Sequence, residues 1–143
     1  MQPPRHGATS AHDTGIIRLE QPCGAFKISA QAHFAGKDLC VLILGGDKPH
    51  VGCVSLGIPR ESLNKPGERS ATVSTLNVTG HKDDTVGNLF AQYLATRLGC
   101  VVAVTCGIHV EQADAADIND LIRATQELLK KLESYLCREP DKL

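Results

Sequence analysis

N-V-T-G-H-K-D-D, at Asn77–Asp84, is the stretch that decides the fold, because a strand pattern ends there and a helix pattern begins. Gly80 allows a turn with positive φ, which other residues resist. His81 and Lys82 then come just before the helix, where free backbone N–H groups can hold an anion or a polar cofactor. The two aspartates that follow either cap the helix or compete with an anion for the same N–H groups. The stretch therefore predicts a capped helix start or a binding site that uses both cations and carboxylates.

The chain downstream of this stretch continues as helix, strand and helix. Asp84 to Leu98 carries apolar residues at helical spacing, and Gly99 is placed to end that helix. The apolar run from Cys100 to Cys106 is typical of a buried strand. Asp114 is placed to start a last helix that has its own apolar stripe.

The chain upstream is a series of strands. Its strand-like segments are Ile16–Gln21, Gly24–Phe34, Leu39–Leu44, His50–Ile58 and Ser70–Val78. Gly45–Pro49 has the residues of a hairpin turn, so the first four strands are expected to form a meander. Pro59–Arg69 is long for a connection and is expected to be a surface or binding loop. Arg60 is the best-placed fixed cation in that loop.

The order β-β-β-β-β-α-β-α predicts an α+β domain, with two helices packed on a largely antiparallel sheet of about six strands. The fifth and sixth strands, joined through a helix, could form one parallel pair with a right-handed crossover. We expect residues 1–15 to be a disordered N-terminal tail, residues 16–138 to be a single domain and residues 139–143 to be a C-terminal tail.

Composition narrows the class of protein. The net charge is −1, aromatic residues make up 3% and Trp is absent, so nothing indicates a nucleic-acid or membrane partner. The six cysteines contain no C-x-x-C pair, and most lie in apolar strand-like runs. This favours small buried thiols in a reducing compartment over an extracellular disulfide framework. We therefore expect a soluble, cytoplasmic protein.

Three histidines stand at predicted strand ends or at the strand–helix junction: His50, His81 and His109. Each lies near glycine, which lets a backbone or a ligand approach closely. If these strand ends converge on one rim, the histidines form a polar pocket or a metal site; otherwise they are ordinary structural residues. Established catalytic motifs such as G-x-S-x-G and H-E-x-x-H are absent from the sequence, so no catalytic residue is assigned.

Five segments resemble a known family: H-V-G-C-V (His50–Val54), I-P-R-E-S-L (Ile58–Leu63), S-A-T-V-S-T-L (Ser70–Leu76), G-H-K-D-D (Gly80–Asp84) and C-G-I-H-V (Cys106–Val110). Together they resemble the LpdD-like proteins, which are also called prenylated flavin chaperones and are accessory subunits of gallate decarboxylase. The resemblance implies a fold similar to that of the small proteasome assembly chaperones, and a homodimer. It also implies a non-catalytic accessory protein that binds reduced prenylated FMN and assists its delivery to, or activation of, a UbiD-type aromatic acid decarboxylase.

The resemblance also implies a set of cofactor-binding residues, to which the hydroxyl of Thr72 is added. The set is His50, Arg60, Ser70, Thr72, Gly80, His81, Lys82, Asp84 and His109. Where the family pattern has an Asp-Asn pair after the last histidine, this chain has Glu111 and Gln112.

Each part of a flavin has a suggested partner in this set. The phosphate suits Lys82, Arg60 and the helix N–H groups. Ribityl hydroxyls suit the carboxylate of Asp84 and the nearby hydroxyls, whereas the reduced ring suits His81 and His109. Two alternatives stay open. One is a metal-dependent enzyme that holds a divalent ion such as zinc or iron with the three histidines. The other is a structural protein-interaction module of the assembly-chaperone kind.

Overall fold

The computed structural model describes residues 15–78 and 83–138. These residues form β1 (Ile16–Cys23), β2 (Phe26–Ala35), β3 (Asp38–Gly46), β4 (Cys53–Glu61), β5 (Arg69–Asn77), α1 (Asp84–Leu98), β6 (Val102–His109) and α2 (Ala115–Arg138). The predicted α+β class, with six strands and two helices in this order, is confirmed.

The sheet is mixed, with the strand order β1-β2-β3-β6-β4-β5. Neighbouring strands are antiparallel except β3 and β6, which are parallel. The predicted four-strand meander is therefore wrong beyond β3. The segment after Gly46 is not a hairpin turn, because β6 lies between β3 and β4 and the chain has to cross it.

Two further expectations are corrected by the pairing. The parallel pair joins β3 to β6, whereas β4 separates β5 from β6. The predicted long loop is shorter than expected, because Pro59–Glu61 belongs to β4 and pairs with Arg69–Ala71 of β5. Only residues 62–68 connect these two strands, so Arg60 lies on a strand and not in a loop.

Both helices pack on one face of the sheet. α1 lies against β4, β5 and β6, and α2 lies against β1 and β2. Alternate strand residues point into this core, as Ile28, Ala30 and Ala32 of β2 do, and the helices contribute side chains such as Phe90 and Leu132. Apolar and polar residues alternate in the sequence of β2, and this alternation produces the one-sided burial.

The other face of the sheet is covered by no element among residues 15–78 and 83–138. On β4 it presents Val54, Leu56 and Ile58, which are exposed by 40%, 38% and 44%. On β5 it presents Leu76, which is 77% exposed. We call this surface the open sheet face, and its apolar side chains are unusual for a face in contact with water.

Candidate functional site

The ends of most strands lie along one edge of the sheet, the edge that runs across the strands and not along an outer strand. β3 ends there at Gly46, β5 at Asn77 and β6 at His109, while β4 begins there at Cys53. α1 also begins at this edge, with Asp84. His50, three residues before β4, and His109, at the end of β6, come together at this edge, a convergence that the sequence left open. We call the group His50, Asp83 and His109 the histidine rim.

Asp83 is the buried centre of the histidine rim, with 7% of its surface exposed. Its Oδ2 lies 3.0 Å from Nε2 of His50. Its Oδ1 accepts a hydrogen bond of 2.9 Å from the backbone N–H of Ile108. Because both oxygens are used in this way, the carboxylate holds two segments against the start of α1. These are the end of β6, at Ile108, and the segment before β4, at His50.

The predicted carboxylate cap is not formed by Asp83. This residue occupies the N-cap position of α1, but its side chain makes no capping hydrogen bond among the described residues. Its carbonyl oxygen does accept the first helical hydrogen bond, from the N–H of Gly87 at 3.0 Å. The carboxylate therefore contacts His50 and Ile108 and does not accept hydrogen bonds from the described helix N–H groups.

His50 is held by both of its ring nitrogens. Nδ1 lies 2.9 Å from the carbonyl oxygen of Lys48, and Nε2 faces the carboxylate of Asp83. Each ring nitrogen thus faces an acceptor oxygen, a carbonyl on one side and a carboxylate on the other. Metal ligation through His50 would require one of these contacts to be broken. In the described part of the chain, no three His, Cys, Asp or Glu side chains are grouped as metal ligands.

His109 completes the rim and is its accessible member, with 39% of its side chain exposed. Its ring lies edge-on to that of His50, with 6.3 Å between the ring centroids. Its Nε2 is 3.6 Å from Oε1 of Glu111, which also pairs with Lys48. The hydrogen bond from Lys48 lowers the pKa of Glu111. Glu111 thus supplies a carboxylate beside His109.

Glycines explain how closely the rim is packed. A Cβ on Gly107 would lie 1.5 Å from the carbonyl oxygen of His50, and a Cβ on Gly52 would lie 1.9 Å from Oδ2 of Asp83. Real side chains do not approach so closely, so only glycine fits at either position. The glycines near the histidines were evident from the sequence, but the role of Asp83 as the partner of His50 was missed.

A second set of contacts seats the first turns of α1 on the sheet. Oδ1 of Asn88 accepts hydrogen bonds from the hydroxyls of Ser55 on β4, at 2.8 Å, and Thr75 on β5. Gly87 allows this close approach, since a Cβ there would be 2.7 Å from Sγ of Cys53. The helix start, and with it Asp83, is thereby held in register with the rim.

A pair of thiols lies beneath the rim. Cys53 and Cys106 are directly opposite each other on β4 and β6, and both are fully buried. Burial raises the pKa of both thiols, most strongly that of Cys106. Thiols of this kind are small hydrophobic residues rather than nucleophiles, as the sequence predicts. All six cysteines of the chain are free.

Three predicted site residues lie elsewhere in the chain's structure. Arg60, Ser70 and Thr72 form a group on the open sheet face, where Nε of Arg60 donates to Oγ1 of Thr72 at 2.8 Å. Arg60 and its partner Ser70 lie seven residue steps along the strands from Cys53, or about 23 Å, and Thr72, opposite Ile58, lies about 17 Å away. Within one chain, this group and the histidine rim are therefore two separate places and do not form one small pocket.

The remaining predicted residues divide into two cases. Gly80, His81 and Lys82 lie outside the described residues, so their predicted roles stay predictions. Asp84 is the first residue of α1 and follows Asp83 directly. The carboxylate that contacts the rim histidine belongs to Asp83, not to Asp84.

Comparison with known proteins gives three findings. A family model described as the prenylated flavin chaperone LpdD-like domain matches residues 22–137. Protein LpdD of Lactiplantibacillus plantarum is 26% identical over 119 residues, which cover 80% of this chain and 81% of that protein. The crystal structure of a novel chaperone complex for yeast 20S proteasome assembly has a similar fold, with a TM-score of 0.53, 17% identity and coverage of 87% of this chain and 95% of that chain.

Proposed function

Because the chain belongs to the prenylated flavin chaperone LpdD-like family, we propose that it binds reduced prenylated FMN without turning it over. We further propose that it assists delivery of this cofactor to a UbiD-type aromatic acid decarboxylase. Family membership supports the flavin and the chaperone role. No helix in the described residues is long and apolar enough to cross a membrane.

The histidine rim is the observation that carries this proposal. It presents one buried carboxylate–histidine pair and, beside it, the half-exposed ring of His109. The paired ring of His50 is fixed, so it orients its neighbour, while His109 can donate to or accept from a ligand. A reduced flavin ring offers N–H groups, which donate hydrogen bonds, and C=O groups, which accept them. His109 is therefore proposed to contact the flavin ring. His81 and Lys82, which lie outside the described residues, keep the roles proposed from the sequence, as partners of the ring and the phosphate.

The first prediction concerns His109. His109→Ala should weaken binding of reduced prenylated FMN by about tenfold or more, because a hydrogen-bonding contact with the flavin ring is lost. Anaerobic fluorescence titration of the purified protein measures this, with oxidised FMN as a second ligand. His33→Ala is the matched control, because His33 is an exposed histidine on β2 and outside the rim. Equal affinities of the two variants for the reduced form would refute the assignment of His109.

Delivery is tested with the same sample. Protein loaded with reduced prenylated FMN should restore activity to an apo UbiD-type decarboxylase faster than the free cofactor does, and His109→Ala should lose this advantage. Equal rates with and without the protein would leave a flavin-binding protein that is not a delivery chaperone.

A homodimer through the open sheet face is the second part of the proposal. Face-to-face packing would bury Val54, Leu56 and Leu76, which one chain leaves in water. It would also cover the Arg60, Ser70 and Thr72 group, and a two-fold axis across the strands would bring that group toward the partner's rim. The separation of the predicted site residues within one chain is thus compatible with a site that two chains share.

This arrangement predicts that Leu56→Asp converts a dimer into a monomer, because a charge would be buried between two apolar faces. Sedimentation equilibrium measures the change. Leu63→Asp is the matched control, since Leu63 is 85% exposed in the connection between β4 and β5. A wild-type monomer, or a Leu56→Asp dimer as stable as the control, would contradict the proposed interface.

A further inference from the structure

A cleft of about 420 Å³ lies between the two helices, on the opposite side of the sheet from the open sheet face. Its walls are largely apolar and include Val86 and Leu89 of α1, with Ile118, Leu121, Ile122 and Thr125 of α2. The cleft exists because α1 covers β4 to β6 while α2 covers β1 and β2. The helices consequently stand apart where their first turns face each other.

The apolar walls are unusually open to water. Leu89 is 39% exposed, Ile118 is 50% exposed and Ile122 is 53% exposed. The α2 residues recur at the helical spacing that puts them on one face, which is the face turned to α1. A concave apolar surface of this volume is within the size range of small-molecule sites in proteins.

Thr125 supplies a second, independent observation. It lines the cleft, it is only 3% exposed, and its hydroxyl has no hydrogen-bond partner among the described residues. A threonine inside a helix usually bonds the carbonyl one turn before it or points to water, but this hydroxyl does neither. A buried hydroxyl left in this way has an unmet hydrogen bond, which a polar atom of a ligand would satisfy once the Thr125 side chain turns toward the cleft.

The charges around the cleft indicate what kind of ligand the cleft would bind. Asp84 and Asp117 lie in the first turns of the two helices, and Asp114 comes directly before α2. Their carboxylates offset the positive N-terminal ends of the two helix dipoles, so this end of the cleft has no net positive field to attract an anion. The hydroxyl is recessed between the helices, which suits a slender small molecule better than the broad face of a protein partner.

We propose that this cleft is a binding site for a small, neutral, largely apolar molecule that carries one hydrogen-bonding oxygen, which pairs with the hydroxyl of Thr125. The site goes beyond the proposed flavin role and does not rest on it, because FMN carries an anionic phosphate and its proposed partners lie at the histidine rim.

The test uses three probes of equal ring size: 2-naphthol, naphthalene and 2-naphthoate. Titrations followed by amide NMR should show 2-naphthol binding about three- to tenfold more tightly than naphthalene, with shifts centred on Leu89, Ile118 and Thr125. The anionic 2-naphthoate should bind most weakly. Thr125→Val keeps the shape of the side chain and removes the hydroxyl, so it should abolish the preference for 2-naphthol while naphthalene still binds. Thr96→Val, on α1 and outside the cleft, should leave the preference unchanged.

Several outcomes would overturn the proposal. These are the absence of binding by all three probes, shifts centred away from the cleft, and an unchanged preference in Thr125→Val. A protein partner that shifts the amide signals of Ile118 and Ile122, when none of the three probes does so, would also overturn the proposal, because the cleft would then bind a macromolecule. Flavin titration of Thr125→Val separates this site from the rim, because its affinity for reduced prenylated FMN should equal that of the wild type.

Discussion

Gly107→Ala is expected to destabilise the domain by about 4 kcal/mol or more, which is at the extreme of single substitutions. The added Cβ would lie 1.5 Å from the carbonyl oxygen of His50 and 2.4 Å from its carbonyl carbon. Both are backbone atoms, so no side chain can rotate away. β6 is also held between β3 and β4, which prevents a simple shift of the strand. Urea unfolding followed by circular dichroism measures the loss.

Gly36→Ala is the matched control for this substitution. Gly36 has φ of +65° but nothing within 4 Å of an added Cβ, so only backbone strain is introduced. Such strain costs about 1–2 kcal/mol. If the two variants unfold at similar urea concentrations, the close approach of β6 to His50 is not a strong constraint, and the described packing of the rim is wrong.

Asp83→Ala is expected to be the most damaging change to a rim side chain, with a loss of about 3–5 kcal/mol in the free energy of unfolding. It removes the carboxylate that faces His50 and leaves the N–H of Ile108 without its acceptor. Asp83→Asn should cost less, because one amide oxygen can still accept from that N–H. The same unfolding measurement applies, and flavin affinity should fall in both variants because His50 is released.

Asp84→Ala provides the comparison for Asp83, since the two residues are neighbours with the same charge. Asp84 stands in the first turn of α1, where a carboxylate contributes about 0.3–1 kcal/mol through the helix dipole. A loss in Asp83→Ala no larger than that in Asp84→Ala would mean that the buried pair with His50 contributes little to folding.

The sequence was sufficient for the elements, because local patterns determine them. The alternation in β2 and the helical spacing after Asp84 both survive in the structure nearly unchanged. The sheet order was not predictable in this way. Turn residues at Gly45–Pro49 show that the chain bends, but they do not show that a strand from much later in the chain lies between β3 and β4.

The site was predictable in part for similar reasons. Strand ends of one sheet can meet at an edge, so the sequence named His50 and His109 as candidates for one site but did not establish that they meet. Whether Asp83 or Asp84 contacts His50 depends on which side chain points into the protein at the start of α1. No local sequence pattern shows this. Pro59 suggested a loop, yet it lies in β4 beyond Gly57, where β4 pairs only with β5 and a missing N–H is tolerated.

The insertion of β6 between β3 and β4 has a consequence for the order of assembly. The β1–β3 unit and the β4–β5 hairpin can each form from nearby residues, but neither can join the other until the sixth strand is made. Until then β3 and β4 each present an unpaired edge. His50 and His109 meet only when that gap is closed, so a ligand that contacts both would recognise the finished sheet and stabilise its last-formed junction.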